Sequence, residues 1–573
     1  MKRLSLSVGA VLCLLGAILL LSPRARAEDA PAAAPETPAT PATPDATPVA
    51  VPETPATPDA EPVAVPETPP VAVPTVTPAE GASQIKEATA AYNNGVVALK
   101  KNDLDAAAIQ FEQAAALAPT DVRAQMFLGY VRLKQERFDD ALAALEAAQA
   151  LSQNLNATES AQLQNNLGNV YWKKGRHADA LAAFGKAVGG DPEYMDARYN
   201  LAFALLAQKN YKDALPHFTA LLAKNPPDPS LDIAAVYDAR GAVHEKMGQW
   251  SKAVGDYRKA TDLDKKEATY AFNLALAMLN SGRPNDAIAP LQEVVRRDPK
   301  HEQAYLLLGD LYIKRRLWEK AQEALEHYVA LRPAEFAGQF NLGVSYDYAG
   351  QFAEALRVYA EAERLRPRDP NVRNNVGRIY FKQQNFVEAI AKLQEALQLN
   401  PYFHDARHNL ALVLTAQGEM EKANKEWKTL IDGLSRAVRN ATDKRRRDSL
   451  QMRVDAVRGA LADNYLKMAD YPSAIAEYKQ LLLTAPANIN ARSNLGLALY
   501  YTKAYEAAAQ EYLEIIKRNP KNAFAYNNLG AVLEAMGKRA EALAKYRQAL
   551  KLKPDYTEAR SNVERLVAGT TVS

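Results

Sequence analysis

Residues 166–192 read NLGNVYWKKGRHADALAAFGKAVGGDP. Gly168 is followed twelve residues later by Ala180, sixteen later by Phe184 and twenty-four later by Pro192, with Lys174-Gly175-Arg176 breaking the stretch in the middle. Two helices around a polar turn can approach closely only where both present small side chains. A large residue one turn further on fills the remaining gap. Proline cannot continue a helix interior, so it ends the second helix.

The same unit recurs along the chain. Its small-residue anchors are Gly95, Gly129, Gly168, Ala202, Gly241, Ala275, Gly309, Gly343, Gly377, Ala411, Ala462, Gly496 and Gly530. Nine of the twelve spacings are 34 residues, two are 39 and one is 51, and the residue twelve after every anchor is alanine. Sixteen after comes an aromatic residue or leucine, and ten units end in proline twenty-four after. A fixed period of this length marks a stack of helical hairpins, each burying a face that it cannot bury alone.

Units such as Asn166-Leu167-Gly168-Asn169-Val170-Tyr171, with Gly175, Ala180, Phe184, Ala187 and Pro192 behind them, resemble the tetratricopeptide repeat (TPR) family. The resemblance covers residues 84–568. It implies an all-α, right-handed α-solenoid (superhelix) of about thirteen helix-turn-helix hairpins with a C-terminal capping helix. The leading tryptophan of the family pattern is mostly missing, and the closing proline is absent after repeats two, five and ten. Repeats 1–10 occupy 84–431, an insertion 432–455, repeats 11–13 456–554, and the cap and tail 555–573, with Arg560 and Glu564 expected to face solvent.

The chain starts with Lys2 and Arg3, an apolar run from Leu4 to Leu21, and Ala25-Arg26-Ala27. This is the layout of a cleavable secretory signal over residues 1–27. The rival reading is an uncleaved anchor through residues 4–21. Cys13 is the single cysteine and lacks the small preceding residue of a lipidation site, so no disulfide framework is expected. Residues 28–80 hold fifteen prolines, nine acidic groups and no basic ones. They are expected to form a disordered, partly polyproline-II spacer, acting as a stalk or a featureless tether. The expected address is the periplasm of a bacterial envelope.

The 39-residue spacings place five-residue additions before Gly168 and Gly241, enough to lengthen one helix by about one and a half turns, and the second contains Pro226-Pro227-Asp228-Pro229. The insertion carries Lys444-Arg445-Arg446-Arg447. It is expected to extend both flanking helices into a projecting hairpin whose cations contact an anionic lipid, an acidic partner or nucleic acid, or simply face water.

The overall charge of +3 leaves no concentrated basic stripe, so nucleic acid is not an expected partner. First helices of a curved solenoid line its concave side. Two residues before the anchor stand Asn93, Asn166, Asn200, Asn273, Asn341, Asn375, Asn409, Asn494 and Asn528. Five after stand Lys100, Lys134, Lys173, Lys246, Lys314, Lys382 and Lys467. Seven positions are nearly two full turns, so the columns share a face. The asparagines resemble the ladder with which some TPR proteins hold an extended peptide backbone, since an amide both donates and accepts. The lysines would draw carboxylates. The competing reading is that the amides cap or bridge helices and the lysines answer the helix dipole. A third column, Arg198, Arg373, Arg407, Arg458 and Arg492, is expected to pack between hairpins with snorkelled head groups.

No phosphate-cradling or nucleophile-elbow motif occurs. His404 and His408 have metal-ligand spacing but no evident third ligand, so neither metal nor cofactor is expected. The reading is a non-enzymatic scaffold for other proteins, with partly acidic extended segments as ligands and membrane contact only indirect or through an uncleaved N-terminus. The alternatives are a carrier for one exported client and the regulatory repeats of an enzyme.

Overall fold

The computed structural model describes residues 82–224, 228 and 231–568. The expected signal peptide, the spacer, three prolines of the second addition and the last five residues lie outside them. Among the described residues the regular elements are 27 α-helices and one 3-10 turn, Ser152–Asn154.

The chain divides after Pro333 into two units. The first contains α1 (Ala82–Lys100), α2 (Leu104–Leu117), α3 (Val122–Lys134), α4 (Phe138–Ala150), α5 (Ala157–Lys173), α6 (His177–Gly190) and α7 (Met195–Ala207). It continues with α8 (Tyr211–Ala223), α9 (Ile233–Lys246), α10 (Trp250–Leu263), α11 (Ala268–Asn280), α12 (Ile288–Arg297), α13 (Glu302–Lys314) and α14 (Trp318–Leu331). The second contains α15 (Phe336–Tyr348), α16 (Phe352–Leu365), α17 (Pro370–Lys382), α18 (Phe386–Leu399), α19 (His404–Gln417), α20 (Met420–Asn440) and α21 (Lys444–Lys467). It ends with α22 (Tyr471–Thr484), α23 (Ile489–Tyr501), α24 (Tyr505–Arg518), α25 (Ala523–Ala535), α26 (Arg539–Leu552) and α27 (Thr557–Ala568). Odd-numbered helices up to α25 carry the thirteen anchors, and each packs on the even-numbered helix that follows.

Three positions explain why the hairpins close. The alanine twelve after the anchor has no exposed surface in any of the thirteen. The large residue sixteen after is at most 2% exposed. A Cβ on any of the nine anchor glycines would lie 2.4–2.9 Å from that large side chain. The sequence reading set the anchor against the alanine. The nearest neighbour of each anchor glycine is the large residue of its own hairpin, and at Gly129 and Gly377 the alanine's carbonyl oxygen also stands at 3.2 Å. Burial of each such side chain contributes about 2–3 kcal/mol.

The turn inside each hairpin is equally regular. Seven residues after every anchor the backbone is left-handed, at six glycines and at Asn102, Glu136, Lys209, Arg316, Gln384, Ala469 and Lys503. This ends the first helix and lets the next N–H reach back five residues, as Gln351 does to Tyr346 (2.9 Å).

Arginines of the third column tie one hairpin to the turn before it. Arg198, Arg407 and Arg492 donate to the carbonyls of Pro192, Pro401 and Pro486 at 2.6, 2.8 and 3.1 Å. Arg560 repeats the contact on Pro554. Arg407, Arg458 and Arg492 also pair with Glu426, Glu477 and Glu511 on the following helix. Their role is therefore a specific carbonyl and carboxylate clamp rather than snorkelling.

Of the two five-residue additions, the first lengthens α5 to 17 residues, opened by an Asn156/Glu159 capping box. The second leaves α9 at 14 residues and goes into the connection from α8. α20 and α21 run 21 and 24 residues. In the last helix Arg560 and Glu564 are exposed while Ala559 and Leu566 face inward, which gives the array a polar end.

Candidate protein-binding face

Within each unit, first helices touch the first helices of adjacent hairpins: α3 with α5, α5 with α7, α7 with α9 and α9 with α11, then α15 with α17, α17 with α19 and α21 with α23. The Asn column lies along these seams, and its fate is decided by what the preceding hairpin offers. Where that hairpin has Asn or Asp three residues before its anchor, the amide crosses the seam. Asn200 donates to Asn165 Oδ1 (2.8 Å), Asn273 to Asp238 (2.9 Å) and Asn409 to Asn374 (2.9 Å). Asn562 of α27 does the same to Asn527 (3.1 Å).

Asn494 also crosses its seam, from α23 to Asp463 of α21 at 3.1 Å, although the −3 position there is Gly459. Elsewhere the amides turn inward: Asn375 donates to the Tyr359 hydroxyl at 3.1 Å, and Asn528 bonds with Asn527 and Tyr512. Asn273, Asn375 and Asn528 are buried. These three bridge the fold and are not available to a ligand, which corrects the expectation for them. Asn93, Asn166 and Asn341 make no side-chain hydrogen bond among the described residues; Asn93 is exposed and the other two are half-buried. Apolar Met126 occupies the partner position before Asn166, and among the described residues no hairpin precedes Asn93.

The lysine column also divides. Lys246 faces Glu245 at 3.6 Å, Lys314 bonds Asp310 at 2.6 Å, and Lys382 bonds the buried Asp347 at 2.8 Å beside Arg378. Their charge is spent on the fold's own carboxylates. Lys134 lies 5.9 Å from the Tyr130 ring. Lys100, Lys173 and Lys467 are exposed and have no ion pair among the described residues.

The two columns therefore stay open together in the first and third hairpins, as Asn93 with Lys100 and Asn166 with Lys173. Farther along the first unit the same helices carry carboxylates. Burial, with Asp228 nearby, raises Asp196 to about 6. Burial also raises Asp238 to about 7, opposed by the Asn273 amide. The −3 partners Asn165, Asp238, Asn374 and Asn527 were missed by sequence reasoning, although the 35-residue offset to the next asparagine is readable there.

His404 and His408 form no metal cluster among the described residues. His408 is packed edge-on against Trp427, and burial lowers it to about 4. Asp405 is taken by Arg453 at 2.6 Å.

Tetratricopeptide repeat models match residues 121–193, 165–229, 239–302, 278–338, 340–402, 380–432, 460–523 and 523–556. Among curated relatives, protein O-mannosyl-transferase Tmtc3 of Drosophila melanogaster is 29% identical over 138 residues, 23% of this chain and 15% of that protein. Human mitochondrial import receptor subunit TOM70 is 22% identical over 181 residues, 32% of this chain and 24% of its own. Mouse DnaJ homolog subfamily C member 3 is 34% identical over 107 residues, 18% and 20% respectively. The chain spans less than a third of each of these relatives. Among solved structures, the APC/C hetero-tetramer Cut9–Hcn1 aligns over 77% of this chain and 96% of its own at 16% identity and a TM-score of 0.29. YrrB, described as a TPR protein with an unusual peptide-binding site, aligns over 33% and 96% at 21% identity and a TM-score of 0.30.

Proposed function

The chain belongs to the tetratricopeptide repeat family, and from that premise we propose that it is a non-catalytic protein-interaction scaffold binding extended, partly acidic polypeptide segments along its first-helix face. The observation that carries this reading is the pairing of unengaged amides and ammonium groups at Asn93 with Lys100 and Asn166 with Lys173. An amide can pair with any peptide backbone, and a free ammonium adds attraction for side-chain carboxylates. The N-terminal pattern supports export, so the working place is the bacterial envelope and the task is assembly of a multi-protein machine there. A carrier for a single exported client is the second reading, favoured if one transient partner is found instead of a stable set.

The test is affinity capture with the full chain and with an Asn93→Ala/Lys100→Ala/Asn166→Ala/Lys173→Ala chain, followed by titration of acidic peptides from the captured proteins. Loss of peptide binding in the folded variant is expected. An Asn273→Ala/Asn528→Ala chain serves as control and loses stability rather than binding. Unchanged peptide affinity in the four-fold variant would refute the assigned face.

A further inference from the structure

The α20–α21 hairpin breaks the pattern of the second unit twice. Its arms exceed the neighbouring second and first helices, 14 and 13 residues long in α18 and α23, by seven and eleven residues. At 1.5 Å per residue this is about 10 and 16 Å of extra length. Arg453 is tied to Asp405 at the start of α19, and a Cβ on Gly433 would lie 2.9 Å from His404. These contacts mark where the neighbouring hairpin ends. Beyond them Leu434 and Ala441 are buried, Val438 and Leu450 are half-buried, and residues 442–449 are all exposed.

The second break is electrostatic. The first turn of α21 is Lys444-Arg445-Arg446-Arg447, with no acidic residue in it. A helix N-terminus is the positive end of the dipole, where cations are disfavoured. Arg436 and Arg439 join them from the last turns of α20. Asp443 is occupied as the N-cap, accepting from the Arg446 N–H at 2.7 Å. Arg447 donates to the Ala441 carbonyl at 2.8 Å. None of the six cations has an ion pair among the described residues, whereas Arg407, Arg458 and Arg492 of the adjoining first helices each pair with a glutamate. A local rule broken without a compensating carboxylate inside the fold points to an anionic contact outside it.

We propose that this prong docks on an anionic phospholipid surface. The cations sit on a convex tip and not in a groove, so a flat array of phosphates matches them better than a threaded peptide. Residues 432–455 contain no aromatic side chain, so the stacking platform of single-stranded nucleic-acid binders is missing. Guanidinium groups pair with phosphate oxygens in bidentate geometry.

The test is co-sedimentation of the full chain with phosphatidylcholine vesicles, with and without phosphatidylglycerol. It is compared with an Arg439→Gln/Lys444→Gln/Arg445→Gln/Arg446→Gln chain. Both chains keep residues 1–27, so any binding by the apolar run cancels in the comparison. The unmodified chain is expected to prefer the anionic vesicles, with the preference falling as salt rises. The variant is expected to lose it on the order of a hundredfold, with unchanged helix content by circular dichroism. Equal partitioning of the two chains on anionic vesicles overturns the proposal. So does a chain indifferent to phosphatidylglycerol that binds polyuridylate or polyglutamate and loses that binding in the variant.

Discussion

Asn409 donates through Nδ2 to the side-chain oxygen of Asn374 at 2.9 Å, from one first helix to the same face of the preceding one. Asn374 is buried, so its carbonyl oxygen has no water to replace this partner. Asn409→Ala is expected to cost about 1–3 kcal/mol. Combined with Asn374→Ala it should fall short of additivity by at least about 0.5 kcal/mol. Urea unfolding of the full chain and the three variants measures both quantities. Additive losses would show that the amides act separately. Asn341→Ala, whose amide is unengaged, should unfold like the parent.

The clasp at Asp238 and Asn273 differs because its acceptor titrates. Burial raises Asp238 from the ordinary 3.8 to about 7, with Glu245, Glu267 and Asp232 pushing the same way. For a raised carboxyl the stabilisation is complete below pH 3.8 and is lost as pH climbs through about 7, because the folded state then holds a buried charge. Asp238→Asn copies the amide pair already present at Asn165, Asn374 and Asn527. It should raise stability above pH 7 by on the order of 1–2 kcal/mol after solvent screening and give no gain below pH 4. Melting temperature as a function of pH decides; a pH-independent difference between the chains contradicts the assignment.

Gly343 and Tyr359 make the close anchor contact found at the nine anchor glycines, with a Cβ on the glycine 2.6 Å from the ring. Gly343→Ala should destabilise by about 1–3 kcal/mol through overpacking. Tyr359→Ala should cost about 3–5 kcal/mol through the cavity it leaves and the partner removed from Asn375. Denaturant midpoints followed by circular dichroism would show the order of the two losses.

Ala469 holds a left-handed conformation at φ 57° without a side chain able to bond its own backbone. The Cβ penalty there is about 1–2 kcal/mol. Ala469→Gly should recover up to about 1 kcal/mol of it, whereas Gly350→Ala, at φ 81°, should lose a similar amount. Thermal unfolding of the two variants should therefore shift in opposite directions.

Much of this was readable along the chain. The anchors, the alanines and the large residues are one-dimensional marks of a local event, because each hairpin closes within about 30 residues. Even so, the reading sent the large residue to the gap between neighbouring hairpins, since it could count positions but not see that Phe184 or Tyr359 reaches back over its own anchor. The candidate site was less legible. Asn273 and Asn93 occupy the same column, yet one crosses a seam to Asp238 and the other is unengaged among the described residues. Lys382 and Lys173 likewise share a column, and only the first meets a buried carboxylate.

What the amino-acid order determined alone is the hairpin: its period, the polar turn between its helices, and its termination at proline in ten of the thirteen units. These depend on steric and backbone rules acting between residues near in sequence. What the tertiary structure decided is which polar groups remain open, because an amide or ammonium is engaged or unengaged according to the helix laid beside it. That neighbour lies 35 residues away for Asn409 and Lys382 alike, beyond the reach of local pattern and within reach of packing.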